Sequence, residues 1–336
     1  MKILVTGSAG HLGEALMRTL PEQGHQPLGV DIKPSPFTQT IGTIADRSFV
    51  KRCMHGMDAV LHAATLHKPH VATHSRQDFV DANISGTLTL LEEAVTAGIR
   101  SFIFTSTTST FGRALTPPPD APAAWITEDV VPVPRNIYGI TKVAAEQLCE
   151  LFSQRFSLPC LVLRTSRFFP EQDDRADTRR TYADGNAKAN EFLYRRVDVQ
   201  DIVDAHLLAL DKAAALGFRR FIISATTPFV PDDLQELRTN APAVVRRYVP
   251  EYEAVYSKRG WTMFPGIDRV YVNAHARLEL GWQPRYDFAS VVSRLARGED
   301  PRSPLAQAIG SKGYHDRMFD GEPYPVEEGP PSPTQR

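Results

Sequence analysis

The chain predicts an α/β fold: a doubly wound, mostly parallel sheet with a small, discontinuous C-terminal lobe. Two observations carry this. An apolar run at residues 2–5 passes into Thr6-Gly7-Ser8-Ala9-Gly10-His11-Leu12-Gly13 and then into an amphipathic pattern ending near Gly24, which is the order strand, glycine turn, helix. Beyond it, apolar runs of strand length at residues 26–30, 58–63, 100–105, 158–164 and 218–224 alternate with stretches of helical period. Strands that alternate with helices build parallel sheets.

The glycine turn aims backbone N–H groups and the positive end of a helix dipole at one point, an arrangement suited to a pyrophosphate. A Cβ there would hold the phosphates off or strike the strand below. The spacing is GxxGxxG, which is weak evidence alone, so the context decides. The second strand ends in Asp31, eighteen residues after Gly13. A carboxylate at that place accepts hydrogen bonds from both adenosine ribose hydroxyls and repels a 2′-phosphate. The expected cofactor is therefore NAD rather than NADP, with Lys33 near enough to soften the preference.

Bulk properties narrow the classes. At 336 residues there is room for one extended domain or two lobes. The chain is 42% hydrophobic and 23% charged, with a net charge of −1, and nothing in this calls for nucleic acid or a charged membrane surface. No apolar run approaches the roughly 20 residues that span a bilayer. The first residues already read as a core strand, leaving no stretch for a signal peptide. Cys53, Cys149 and Cys160 are odd in number and lack CxxC spacing, which fits reduced thiols in a cytoplasm.

The remaining elements follow in order. A loop over 33–39 leads to a short third strand at 40–44. Asp46 caps a helix running to about His55, and Gly56 ends it. The fourth strand, 58–63, finishes in His62-Ala63-Ala64-Thr65, where His62 reads as a hydrogen-bonded histidine beneath the loop. His67, His70 and His74 follow at the carboxyl edge of the sheet. They lack an HExxH pattern or a nearby cysteine pair, so the expectation is a substrate-facing or exposed loop and no metal site. A helix runs from Asp81 to near Ala97, with Gly98 as its stop. Strand 100–105 feeds the hydroxyl-rich turn Ser106-Thr107-Thr108-Ser109-Thr110. Residues 115–134 are proline-rich and predict no regular element. Helical spacing returns over 138–156 and places Tyr138 and Lys142 one turn apart on one face. Strand 158–164 leads to Ser166 and Arg167. Residues 171–192 read as a polar active-site loop, and a further helix precedes the strand at 218–224.

Tyr138 and Lys142 carry a recognisable chemistry. Hydride transfer at a carbinol carbon needs the hydroxyl proton removed, and a phenol with a pKa near 10 is a poor base at pH 7. An ammonium a few ångströms away favours the phenolate.

TGSAGHLG, His62-Ala63-Ala64-Thr65 and Tyr138-Gly139-Ile140-Thr141-Lys142, in this order, resemble the extended short-chain dehydrogenase/reductases, specifically the NAD-dependent epimerase/dehydratase family, over about residues 1–288. The resemblance implies a Rossmann-like fold, NAD as cofactor, a small-molecule substrate of sugar type, and a homodimer packed through the helices from Asn83 and Tyr138. It makes Tyr138 the base, Lys142 its partner and a ligand of the nicotinamide ribose, and Thr107 the hydroxyl that holds the substrate oxygen beside Thr108. It places Gly7, Gly10, His11, Leu12 and Gly13 against the pyrophosphate, and Asp31 and Ile32 at the adenosine. Ala63, Ala64, Thr65, Thr105 and Ser166 line the cofactor, with Asn83 in support. Two departures stand out. The family's Asp-Leu pair at the adenine is Thr43-Ile44 here, leaving backbone and apolar contact to hold the base. An asparagine that contacts the substrate's nucleotide is replaced by Arg167, whose guanidinium suits a carboxylate or phosphate or else pairs with Glu171, Asp173 or Asp174.

The resemblance divides the chain into a cofactor-binding part, 1–165 together with 197–225, a substrate lobe of 166–196 and 226–297, and a polar, proline-rich tail over 298–336. Three functions remain open: an epimerase/dehydratase-type enzyme that returns its hydride, an NAD-dependent sugar or uronate-like dehydrogenase that releases NADH, and a non-catalytic NAD-binding regulator. Thr107, Tyr138 and Lys142 count against the last. Thr108-Ser109, where 4,6-dehydratases carry an acidic pair, sets that subfamily aside.

Overall fold

The computed structural model describes residues 1–313 and 315. In it the chain runs β1 (Lys2–Thr6), α1 (His11–Glu22), β2 (Gln26–Asp31), a two-residue β3 (Thr40–Ile41) and α2 (Arg47–Met54). The third strand stops short of the expected Ile44 because the chain turns after Gly42, where Asp46 N–H reaches Thr43 O. Asp46 caps α2, its Oδ1 accepting Ser48 N–H at 2.8 Å and Phe49 N–H at 3.2 Å.

After β4 (Ala59–His62) comes one long helical rod: α3 (Arg76–Phe79), a π-helical turn (Val80–Ser85) and α4 (Gly86–Ala97). It begins five residues ahead of the expected Asp81 because Ser75 caps it reciprocally, Ser75 Oγ accepting Asp78 N–H and Asp78 Oδ2 accepting Ser75 N–H. Gly98, at φ +69°, ends it. Next are β5 (Ser101–Thr107), β6 (Ala124–Ile126), α5 (Ile137–Phe156) and β7 (Cys160–Thr165). β6 corrects the expectation of no regular element at 115–134. It pairs with a strand 145 residues later, Ala124 with Arg269, a partner that local sequence cannot reveal.

The stretch 171–192, expected as a loop, holds α6 (Ala176–Thr181) and α7 (Asp184–Glu191). Its weak periodicity has a cause: α7 buries Asn186, Asn190 and Glu191, polar side chains that read as surface until their partners appear. The chain continues through α8 (Val199–Leu216), β8 (Phe218–Ile223), α9 (Leu234–Tyr248), α10 (Tyr252–Arg259), β9 (Arg269–Tyr271), α11 (Phe288–Ala296) and α12 (Pro304–Ile309). α12 lies in the stretch expected to be a tail and packs Leu305, Ala306 and Ile309 on the core. The rest of that expectation, at 314 and 316–336, lies outside the described residues.

Seven strands form one parallel sheet in the order β3-β2-β1-β4-β5-β7-β8. The order reverses between β1 and β4, the crevice at which such sheets bind ligands. Alternate residues of each strand face opposite layers. Ile3, Val5 and Leu61 pack with α1 and α8, while Leu4, Val60 and Phe102 pack with α2, α4 and α5. A separate apolar cluster joins α7, α9, α10 and α11 through Ala187, Val244, Tyr256 and Phe288. Among the described residues no helix is long and apolar enough to cross a membrane.

Candidate active site

One cavity of about 920 Å³ opens along the carboxyl ends of β1, β2, β4, β5 and β7. Every residue expected to touch the cofactor or substrate lines it, except Asn83 and Lys142, which stand behind the wall. One end holds Asp31, Ile32, Thr43 and Ile44, the middle holds the glycine turn with Ala63, Ala64 and Thr65, and the far end holds Thr105, Thr107, Thr108, Tyr138, Ser166 and Arg167.

The glycine turn fits a dinucleotide. Gly7 takes φ +77°, and a Cβ on it would lie 2.7 Å from Ala64 N. A Cβ on Gly13 would lie 1.9 Å from Gly7 O. Side chains at these two positions would break the packing of turn, helix and β4. Gly10 is the N-cap of α1 and no side chain caps it, which suits an anion at that helix end. His11, in this turn, faces Glu171 at 3.0 Å and meets Phe169 edge-on.

Asp31 Oδ2 accepts Ala9 N–H at 3.0 Å and Oδ1 accepts Lys33 N–H at 2.9 Å. The first bond ties the carboxylate to the glycine turn. His62 is buried as the sequence suggested, its ring nitrogens bonded to Thr6 Oγ1 at 2.8 Å and Thr87 Oγ1 at 3.0 Å. Asn83, from the π-helical turn, accepts Leu66 N–H at 2.8 Å and Thr65 O–H at 2.9 Å. It also donates to Leu66 O at 2.9 Å and to Thr141 Oγ1 at 3.0 Å. It thereby clamps the loop after β4 onto α5.

Asn136 caps α5 through Gly139 N–H, and the helix carries both Tyr138 and Lys142. Tyr138 is buried, and the loss of hydration pushes its pKa up to about 12, against a hydrogen bond from the Thr107 side chain. Lys142 is also buried. Its Nζ donates to Thr105 O at 2.7 Å and lies 3.9 Å from the centre of the Phe104 ring. Burial lowers its pKa to about 7, with Glu146 acting in the opposite direction. The expected effect, an ammonium that favours the phenolate, is opposed here by burial. The phenol is held neutral by its apolar surroundings and the lysine is held by a carbonyl.

Glu146, one turn beyond Lys142, was missed by the sequence reading. Its carboxylate is buried against Arg164 at the end of β7, with Arg164 Nη2 to Oε2 at 2.8 Å, and Ser106 Oγ donates to Oε1 at 2.5 Å. The available signal was the spacing: an acidic residue four after Lys142 on the helix face that also buries Cys149.

Arg167 lines the cavity, yet its guanidinium lies 3.4 Å from Asp173 and 3.5 Å from Asp174 and donates to Gln172 O at 2.8 Å. Lys68 also pairs with Asp174, and Arg195 pairs with Asp173 and Glu191. Of the two readings of Arg167, this geometry supports ordering of the loop before α6. His67, His70 and His74 meet edge to face, with ring centres 4.7 and 5.0 Å apart, and burial drives the His67 pKa well below its usual range. Among the described residues no group of three or more histidine, cysteine or acidic side chains is arranged to hold a metal. The three cysteines are free and buried.

The UDP-glucose 4-epimerase of Rhizobium meliloti (strain 1021) is 27% identical over 322 residues, covering 86% of this chain and 94% of that enzyme. The 2-alkyl-3-oxoalkanoate reductase of Stenotrophomonas maltophilia is 35% identical over 156 residues, covering 44% of this chain and 45% of that one. In fold, the chain is similar to a short-chain dehydrogenase/reductase superfamily protein from Agrobacterium tumefaciens solved with bound NAD. The TM-score is 0.64 at 22% identity, with 92% of this chain and 99% of that one covered. It is also similar to UDP-glucuronic acid 4-epimerase from Bacillus cereus, with a TM-score of 0.60 at 19% identity, covering 87% of this chain and 97% of that one. The model of the NAD dependent epimerase/dehydratase family matches residues 3–223, and the chain belongs to this family, NAD-dependent enzymes of the extended short-chain dehydrogenase/reductase type.

Proposed function

We propose that the protein is an epimerase-type oxidoreductase acting on a hydroxyl of a sugar or sugar derivative. The single observation that supports this most is the meeting of Thr107 and Tyr138 at the end of the cavity opposite Asp31, with Lys142 directly behind. A relative that aligns over 86% of this chain is a UDP-glucose 4-epimerase, which agrees with it. The cofactor-binding part is 1–165 with 197–225, and the substrate enters from the side of 166–196 and 226–297.

Each residue has a task in this reading. Bound NAD supplies the hydride acceptor. The Thr107 and Thr108 hydroxyls hold the substrate oxygen, and Tyr138 Oη receives the proton that leaves it. Desolvation holds the phenol at about 12 in the resting site, so the charge of Lys142 matters when the proton moves. Glu146 favours that charge.

The test is a panel of nucleotide sugars, sugar acids and neutral sugars incubated with the protein and NAD. Products are read by NMR and NADH by absorbance. An epimer without net NADH is the expected outcome, and one NADH per turnover indicates the dehydrogenase reading instead. Tyr138→Phe is expected to lower kcat by about 10²- to 10⁴-fold, the usual contribution of a general base, while leaving the affinity for NAD within a few-fold. No reaction on any substrate, with NAD still bound, would overturn the enzymatic reading in favour of a regulator.

A further inference from the structure

We propose that Ser311, Lys312, Gly313 and His315 complete the dinucleotide site and that Lys312 is a cofactor-binding residue, its ammonium meeting the pyrophosphate at the N-terminus of α1. Lys312, Gly313 and His315 line the same cavity as the glycine turn, although they lie 300 residues from it in sequence. The inference rests on NAD lying along that turn.

The segment is fastened at both ends. On one side the buried Glu171 Oε1 accepts Ser311 O–H at 2.9 Å, Lys312 N–H at 3.1 Å and Gly313 N–H at 3.1 Å. The same oxygen faces His11 of the glycine turn at 3.0 Å. Burial alone would raise the Glu171 pKa, but His11 and Ser311 bring it down to about 2, so the clasp stays ionised at neutral pH. On the other side His315 Nε2 donates to Pro69 O at 2.8 Å, and its ring centre lies 5.3 Å from that of His70. The segment thus joins the loop after β7 to the loop after β4, and the glycine turn lies beside it.

Charge explains why a lysine belongs there. Glu14 puts a buried carboxylate in the first turn of α1, at the helix end that favours an anion. Left alone it would repel a pyrophosphate. Lys312 Nζ and Arg18 Nη2 both pair with Glu14, at 2.5 and 2.7 Å. Arg18 bonds Glu14 through Nε as well, at 2.8 Å, so it can hold the carboxylate while Lys312, on the cavity side, serves the phosphates.

Binding measurements test this apart from turnover, so failure of the catalytic reading does not touch it. Lys312→Gln is expected to raise the Kd of NADH, by fluorescence, and of ADP, by calorimetry, about tenfold. Adenosine binding should not change, and Lys312→Arg should recover most of the loss. In the unaltered protein NAD should slow tryptic cleavage after Lys312. The proposal is overturned if Lys312→Gln leaves NADH and ADP affinities unchanged, if adenosine loses as much as ADP, or if NAD does not protect the bond.

Discussion

At the scale of single residues, we expect Asp31 to carry the choice of cofactor. Each of its oxygens already accepts one backbone N–H, which fixes its position and leaves lone pairs for two ribose hydroxyls. The charge that attracts those hydroxyls repels a 2′-phosphate. NAD is expected to bind at least several-fold more tightly than NADP, and Asp31→Asn to narrow the gap. Fluorescence titration with the two reduced cofactors measures it. Equal affinities in the unaltered protein would refute the role of Asp31 and point to Lys33 as a phosphate contact. Arg167 teaches the converse. Its residue type suits an anionic substrate, but three acceptors from its own loop already occupy it, and a guanidinium engaged in this way orders chain before it reads a ligand.

At the scale of elements, α8 is keyed to the active-site strand by one histidine. His206 Nδ1–H donates to Ile202 O at 2.8 Å, which leaves Nε2 to accept Thr105 O–H at 2.9 Å. The carbonyl of that same Thr105 holds Lys142. Burial lowers the His206 pKa from 6.5 to about 4, so the folded protein keeps the ring neutral while the unfolded chain takes a proton. The stabilisation is therefore complete above about pH 6.5 and lost as the pH falls toward 4, about 3 kcal/mol over that window. Urea unfolding at pH 7.5 and 4.5 should show a smaller acid loss in His206→Gln than in the unaltered protein. An identical loss in both would mean that His206 does not set the acid limit. The Rossmann-type elements were legible because each has its own periodicity, and some their own cap or stop: Asp46 capping α2, Gly98 closing α4. β6 and α7 were not, since one pairs only with β9 and the other buries amides whose acceptor, Thr262 O, lies more than 70 residues away.

At the scale of the whole molecule, α5 leaves Ile140, Leu151 and Phe156 about half exposed, at 53%, 45% and 54%. Ile140 and Leu151 are eleven residues apart, three turns, and so share a face. We expect α4 and α5 to pack against their counterparts in a homodimer. Light scattering should report twice the chain mass at micromolar concentration, with Leu151→Glu shifting it toward the monomer; a monomeric unaltered protein would sink the idea.

The sequence by itself determined the parallel sheet, the glycine turn, Asp31 after the second strand, and the one-turn spacing of Tyr138 and Lys142. All of these are local: a period, a cap, a conformation only glycine takes without strain, or two side chains on one helix face. Tertiary structure decided what those residues meet. It raised the Tyr138 pKa by burying it, set Lys142 on Thr105 with Glu146 and Arg164 behind, tied Arg167 into its own loop, and brought Lys312 to the first turn of α1. Desolvation and long-range pairing depend on which surfaces come together, and only the folded chain brings them together.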